Sequence, residues 1–421
     1  MKKGLASYIF DIFLWNKNTH KEFVFLKGMM LFNLFFFLLQ FEVLIQVFIV
    51  LQMMVALYFI RFISFRGLKE LNFIPLLIFT LLVIWTVFIC RNCISSIRMF
   101  SHFLFLPYNY VCLLMPFILI PFARVENLPR YTQYIVKTVR MSIIILLLLL
   151  PYMVVKWNGN DDDMAISRQL FEVINMYFNG GLLFLMLVQR YLKQRDRALV
   201  TFGAFLSLFC AAYFARRGVI MSYAVTFCFV ILINIHFRKS AKKALTIMKY
   251  FLLVLILVFF VLSFGESLFS NLYERLEYDS RSGVEFELLD QLMTTGDMTL
   301  GRGYAGSYYS EFIDSAGIER EGIETGYLHL ILKGGIVYLV LMCLAFIPAV
   351  LLGFFKSNNF YIKILSCFAL IFIVFFNVAN SNITFSIRYF IFLIVIHILY
   401  NPRYRKMTDK EFQNCMAINR T

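Results

Sequence analysis

The sequence predicts an all-α, polytopic membrane protein of about 12 transmembrane helices, with one large outer-face loop between helices 9 and 10 and both termini in the cytoplasm. Three observations predict it. First, 61% of the 421 residues are apolar, only 15% are charged, 50 are Phe, and the mean hydropathy is +0.76. That leaves too little polar surface to cover a soluble globule of this length. Second, the apolar residues fall into runs near the roughly 20 residues that cross a bilayer as a helix. Third, of the 40 Lys and Arg, 28 fall in segments assigned to the cytoplasmic side and 12 in outer segments or outer helix ends. Such a bias is what the positive-inside rule requires of this orientation.

Taken in order, residues 1–264 hold helices 1 to 9 behind a cytoplasmic arm. The arm, MKKGLASYIFDIFLWNKNTHKEF, is broken by Asp11 and by Asn16 to Lys21 and has no small-residue cleavage site, so it is expected to be retained on the lipid surface. Phe23 to Ser64 is long enough for two crossings that turn near Gln40 to Glu42. Leu71 to Cys90 and His102 to Phe122 are crossings three and four, and Arg91 and Arg98 lie between them on the outer side. Arg124 to Arg140 is a basic cytoplasmic patch before crossing five, Met141 to Val155. The segment WNGNDDDMAISRQ is an outer loop; its triple acid Asp161 to Asp163 reads as a solvated loop rather than a hard-cation site, since three consecutive carboxylates point apart.

Crossing six spans Leu170 to Val188 and leads to the basic run RYLKQRDR. Crossings seven, Leu199 to Phe214, and eight, Val219 to Ile235, are joined by a very short outer ARRG turn. Tyr250 to Phe264 is crossing nine. Residues 265–325 form the large outer loop, which carries 13 of the 25 acidic residues. Residues 326–400 hold crossings ten (Gly326 to Phe355), eleven (Tyr361 to Val378) and twelve (Ile387 to Tyr400), and 401–421 form a polar cytoplasmic tail. Six of the eight cysteines sit in apolar runs and the loop has none, so neither a disulfide framework nor a Cys-based zinc site is expected there. The net charge of +15 follows the membrane topology, and nucleic acid is not expected as a partner.

Chemistry-bearing residues gather at the outer face. Arg216 and Arg217 stand where one helix ends and the next begins, so free backbone N–H groups and guanidinium forks meet at one place suited to phosphate. The plainer reading of the pair is snorkelling to outer headgroups. Within the loop, Val284, Leu288, Leu289 and Leu292 have the spacing of a short amphipathic helix on the membrane domain, with Glu285, Glu287 and Asp290 facing away. LGRGYAGSYYSEF then offers three glycines for tight turns and close backbone approach, with tyrosines that can stack on sugar rings. At the loop exit, Glu324, His329 and Lys333 enter crossing ten; ionisable groups so near hydrocarbon suggest function, and the last two share a helix face. The plainer reading of His329 is a buried neutral imidazole with one partner.

Three places in order, ARRG at 215–218, DSRSG through LGRGYAGSYYS, and ETGYLHLILKGGIVYL, resemble the O-antigen ligase and polymerase superfamily of membrane glycosyltransferases. The resemblance covers Gly203 to Phe354 most closely, about a third of the chain. It implies a donor glycan on polyprenyl diphosphate, no metal and no cofactor. Many members carry His eleven residues before the helix glycine, where this chain has Glu324 before Gly335. The expected proton acceptor is therefore Glu324, shielded from water to raise its basicity, with His329 second. Arg281 completes the catalytic set. Arg216, Arg217 and Arg275 are expected to bind diphosphate, and Arg302, Tyr304, Tyr327 and Lys333 to meet the sugars. The expected function is polymerisation of lipid-linked oligosaccharide repeats at the outer face of the cytoplasmic membrane, with a chain-length regulator and a flippase as partners. A ligase that moves a finished glycan to lipid A core or protein is the alternative within the class, and a flippase or transporter the alternative outside it.

Overall fold

The computed structural model describes residues 47, 50, 51, 54, 73–91, 123, 125–158, 161–236, 281–311, 318–376 and 387–417. Crossings one, two, four and nine fall largely or wholly outside them. The described part is mostly helical. Its helices are α1 (Phe73–Ile89), α2 (Leu128–Trp157), α3 (Asp161–Leu187), α4 (Gln194–Tyr213), α5 (Arg217–His236), α6 (Arg281–Thr294), α7 (Gly326–Phe355), α8 (Phe360–Ile371), α9 (Ile387–Tyr400), α10 (Pro402–Lys406) and α11 (Asp409–Ala417). Strands β1 (Tyr308–Ser310) and β2 (Ile318–Arg320) pair antiparallel in the loop.

Among the described residues, α2, α4, α5 and α7 are long and apolar enough to cross a membrane, and α1, α8 and α9 are shorter apolar helices. Leu148, Val155, Leu232 and Leu351 face outward, a placement that suits hydrocarbon and would be costly in water. The chain is a helical membrane protein.

Two expected boundaries move. Crossing five is not short: α2 runs 30 residues, because the basic patch before it continues the helix from Leu128, with Pro129 in the first turn where its missing N–H costs nothing. The loop expected from Trp157 to Gln169 is largely helical instead, since α3 already starts at Asp161. Carboxylates are well placed in a first helical turn, where they face the positive end of the dipole.

Helix α9 is the hub of the bundle. All 14 of its residues are buried, and it packs on α3, α7 and α8. Gly180 on α3 makes room for Arg388 at its start: a Cβ at 180 would lie 2.4 Å from the Arg388 Cβ. Gly353 lets α7 meet α8 closely, because a Cβ there would lie 2.0 Å from Ser366 Oγ.

The tail is tied to this core by one amide. Buried Asn359 caps α8 by accepting from Ile362 N (2.8 Å) and donates to the carbonyls of Tyr404 (3.0 Å) and Met407 (3.1 Å). Replacing Asn359 by Ala removes the cap and strands two carbonyls, a loss of about 2–3 kcal/mol. We expect faster hydrogen exchange across 402–417 in that variant; unchanged exchange would show that the tail is held by other contacts.

Candidate functional site

The loop body is built around a broken helix. At Gly335 the backbone of α7 leaves helical geometry (φ 71°, ψ −177°), so the carbonyls and N–H groups on either side lose their partners one turn away. The loop supplies replacements. Arg302 N donates to Leu332 O (2.8 Å) and Gly303 N to Lys333 O (3.0 Å), while Ile336 N donates to Met298 O (3.0 Å) and Val337 N to Thr299 O (3.5 Å). Trp85 Nε1 on α1 donates to Gly334 O at 2.8 Å. The contact is close enough to require glycine. A Cβ on Gly301 (φ 66°) would lie 2.5 Å from Gly335 N, and one on Gly335 would lie 1.9 Å from Thr299 O.

Helix α1 locks the same region from the other side. Tyr304 N donates to Ile89 O (2.9 Å), and Arg91 Nη2 donates to Gly301 O (3.1 Å) while its guanidinium lies over the Phe88 ring. Trp85 and Arg91 were not singled out from sequence. The signal was present for Arg91, an arginine at a helix end that the sequence assigns to the outer side, against the positive-inside bias, as for Arg216 and Arg217.

Two cations expected to meet sugars are engaged within this body. Lys333 is buried, and its Nζ donates to Tyr304 O (2.7 Å) and Gly306 O (2.9 Å). Arg302 pairs with Asp297 (3.0 Å) and donates to Ser307 O (2.7 Å), to Thr295 Oγ1 (3.1 Å) and, at 3.4 Å, to Gln291 O. Tyr304, half-buried, has its ring 5.9 Å from the Lys333 ammonium.

Helix α6 packs as its spacing predicts: Val284, Leu288 and Leu292 are buried with Tyr308, Ile323, Leu328, Ile331 and Leu332. Its acids do not all face away, however. Glu285 accepts from Thr325 Oγ1, and Glu287 accepts from Ser310 Oγ (2.6 Å) and Glu311 N (3.2 Å). Gln291 bonds Tyr309 through both of its amide ends. The carboxylates bind the strand and the start of α7 to α6, because those segments present donors that need acceptors. Burial pushes the Tyr308 phenol above its ordinary range; Arg320 acts against this, and the carboxylates of Glu287 and Glu324 act with it.

Glu324 is exposed, just before Thr325, which precedes α7 and makes no side-chain capping bond to it. The shielding expected of it is not found. His329 lies one turn inside the helix, its N–H donating to Thr325 O (2.9 Å). Its Nδ1 is buried and has no hydrogen-bond partner among the described residues. Gly322 lies next to it: a Cβ there would touch the ring at 3.8 Å, an ordinary contact. Tyr327, half-buried, packs against the α6 cluster. Arg281 begins α6, and Arg275 lies outside the described residues.

The ARRG turn is flanked by Phe214 and Val219, which pack in a separate cluster with Trp157, Phe171 and Cys210. Helix α4 ends with Arg216 N bonded to Ala211 O (2.7 Å) and Ala215 N to Ala212 O (3.2 Å), a Schellman closure. Ala215 takes the left-handed position (φ 54°) where glycine is usual. Arg217 is then the first residue of α5, and Arg216 pairs with Glu172 of α3 at 2.6 Å. Glu172 is a partner that sequence reasoning missed. Among the described residues, no group of three or more His, Cys, Asp or Glu side chains is placed to hold a metal ion.

Comparison with protein-family models, curated proteins and solved structures finds nothing that matches this chain.

Replacing Gly335 by Ala should cost about 3 kcal/mol or more, since the added Cβ meets Thr299 O and the φ angle is unfavourable. The readout is new proteolysis between residues 297 and 306, and an intact loop in that variant would contradict the docking described. Ala215→Gly, by contrast, should stabilise by about 1 kcal/mol through relief of left-handed strain, seen as a higher Tm. A lower Tm would mean that the Ala215 methyl contributes more packing than it costs in strain.

Proposed function

We propose that this protein is a polytopic glycosyltransferase of the cytoplasmic membrane that joins polyprenyl-diphosphate-linked oligosaccharide repeats at its outer face. The reading includes twelve crossings, cytoplasmic termini and a loop at 265–325 on the outer side. The observation that carries it is a folded polar unit seated on a broken apolar helix, with an unpartnered His329 nitrogen at the junction. A reaction between a lipid-borne donor and a hydrophilic acceptor needs such a junction, where a polar body meets hydrocarbon. Resemblance to the O-antigen ligase and polymerase superfamily supplies the reaction class.

In this reaction an acceptor hydroxyl attacks the anomeric carbon, its proton goes to a base, and the polyprenyl diphosphate leaves with the bonding pair. Arg216, Arg217, Arg275 and Arg281 are assigned to the diphosphate and to the negative charge that grows on it, by guanidinium bonds that strengthen as the bond breaks. Tyr304 and Tyr327 supply aromatic faces at the loop body. Arg302 and Lys333 position the backbone rather than the sugar, because their donors are directed to loop groups. For the base, the exposure of Glu324 and the buried, unpartnered Nδ1 of His329 support His329 as the stronger choice.

Purified protein supplied with a lipid-linked repeat should yield a ladder of longer lipid-linked chains. His329→Ala should lower turnover by about 10²–10⁴-fold, and Glu324→Gln should retain most of it. The opposite pattern would return the role to Glu324. A single glycan moved to a different acceptor would replace the polymerase reading with a ligase, and substrate translocation without any new glycosidic bond would replace both with a transporter.

A further inference from the structure

A second place on the molecule has the chemistry of an anion site. It lies toward the far end of α7 from the loop body, with the 20 residues of α7 that follow Gly335, roughly 30 Å of helix, in between. The start of α2, the turn after α3, the start of α4 and the start of α8 enclose a cavity of about 520 Å³. Lys137, Arg140, Arg190, Lys193 and Arg197 line it, against one carboxylate, Asp196. That carboxylate pairs with Arg140 (3.4 Å), and Arg197 holds the turn by donating to Leu192 O (2.9 Å) and Arg190 O (3.1 Å). Lys137 and Lys193 are exposed at the rim.

The floor adds an independent observation. Tyr361 lines the same cavity; its ring is buried between Tyr191 (4.7 Å) and Phe412 (4.4 Å), and its hydroxyl is buried with no hydrogen-bond partner among the described residues. A buried hydroxyl calls for an acceptor, and surplus cations around it call for an anion. Val136, Val188 and Leu192 give the remaining wall an apolar surface.

We propose that this cavity binds a phosphate group, presented by an anionic glycerophospholipid or free in solution. The cations neutralise the phosphate, Tyr361 donates to one of its oxygens, and the apolar wall accepts the glycerol end of a lipid. It is distinct from the proposed glycosyl-transfer site and does not depend on that reading.

The test uses the full-length protein in detergent, with phosphatidylglycerol retention read by native mass spectrometry and inorganic phosphate read by thermal shift. Phosphatidylglycerol should be retained by the wild type in preference to phosphatidylcholine. Replacing Lys137, Arg190 and Lys193 together by Gln should weaken it about a hundredfold, and Tyr361→Phe, which keeps the ring packing, about tenfold. Stabilisation by inorganic phosphate that is lost in Tyr361→Phe, without lipid retention, would assign the site to soluble phosphate. Equal retention of both lipids, or unchanged binding of phosphatidylglycerol and of phosphate in Tyr361→Phe, would overturn the proposal.

Discussion

The break in α7 at Gly335 is the constraint on which the loop-bearing half of this protein depends. An interrupted helix in an apolar setting exposes backbone groups that cost about 1–3 kcal/mol each if left unpaired. Here the loop at 298–303 and the Trp85 indole pair with groups on both sides of the break. Neither half can be built alone: the loop has its fixed shape only on the helix, and the helix can break only where the loop covers it. Glycine at 301 and 335 follows from this, because two backbones meet with no room for a Cβ on either.

From that junction the placement of candidate chemistry follows. Lys333 and Arg302 direct their charges into loop groups, so the body is rigid where two polar chains of atoms meet. Glu285 and Glu287 then tie α6 to the rim of α7 and to β1. His329 is one turn inside the start of α7, its Nδ1 buried and next to Gly322. The Arg216 turn is organised separately, around Trp157 and Phe214, and faces Glu172.

Much of the fold was legible because apolar length is a direct physical requirement of the bilayer. Helix α7 begins and ends where expected at Gly326 and Phe355, and α9 runs from Ile387 to Tyr400 as its apolar run predicts. The boundaries that moved lie where polar residues continue a helix beyond hydrocarbon, at Leu128 and Asp161, and hydropathy carries no signal for that. In the loop, spacing identified the buried face of α6 but assigned Glu285 and Glu287 to solvent. Their partners, Thr325 and Ser310, are 40 and 23 residues away in the chain, and long-range hydrogen bonds leave no local pattern. Lys333 and Arg302 were read as substrate contacts for the same reason: sequence shows that a cation is present, not which carbonyl it meets.

The most direct measurement of this account is amide hydrogen exchange on the unmodified protein at Arg302, Gly303, Ile336 and Val337. If loop and broken helix form one unit, the four amides are protected together and exchange at a common slow rate. If Ile336 and Val337 stay protected while Arg302 and Gly303 exchange as exposed loop, the helix completes its own hydrogen bonds and the docked loop, with the site built on it, is wrong.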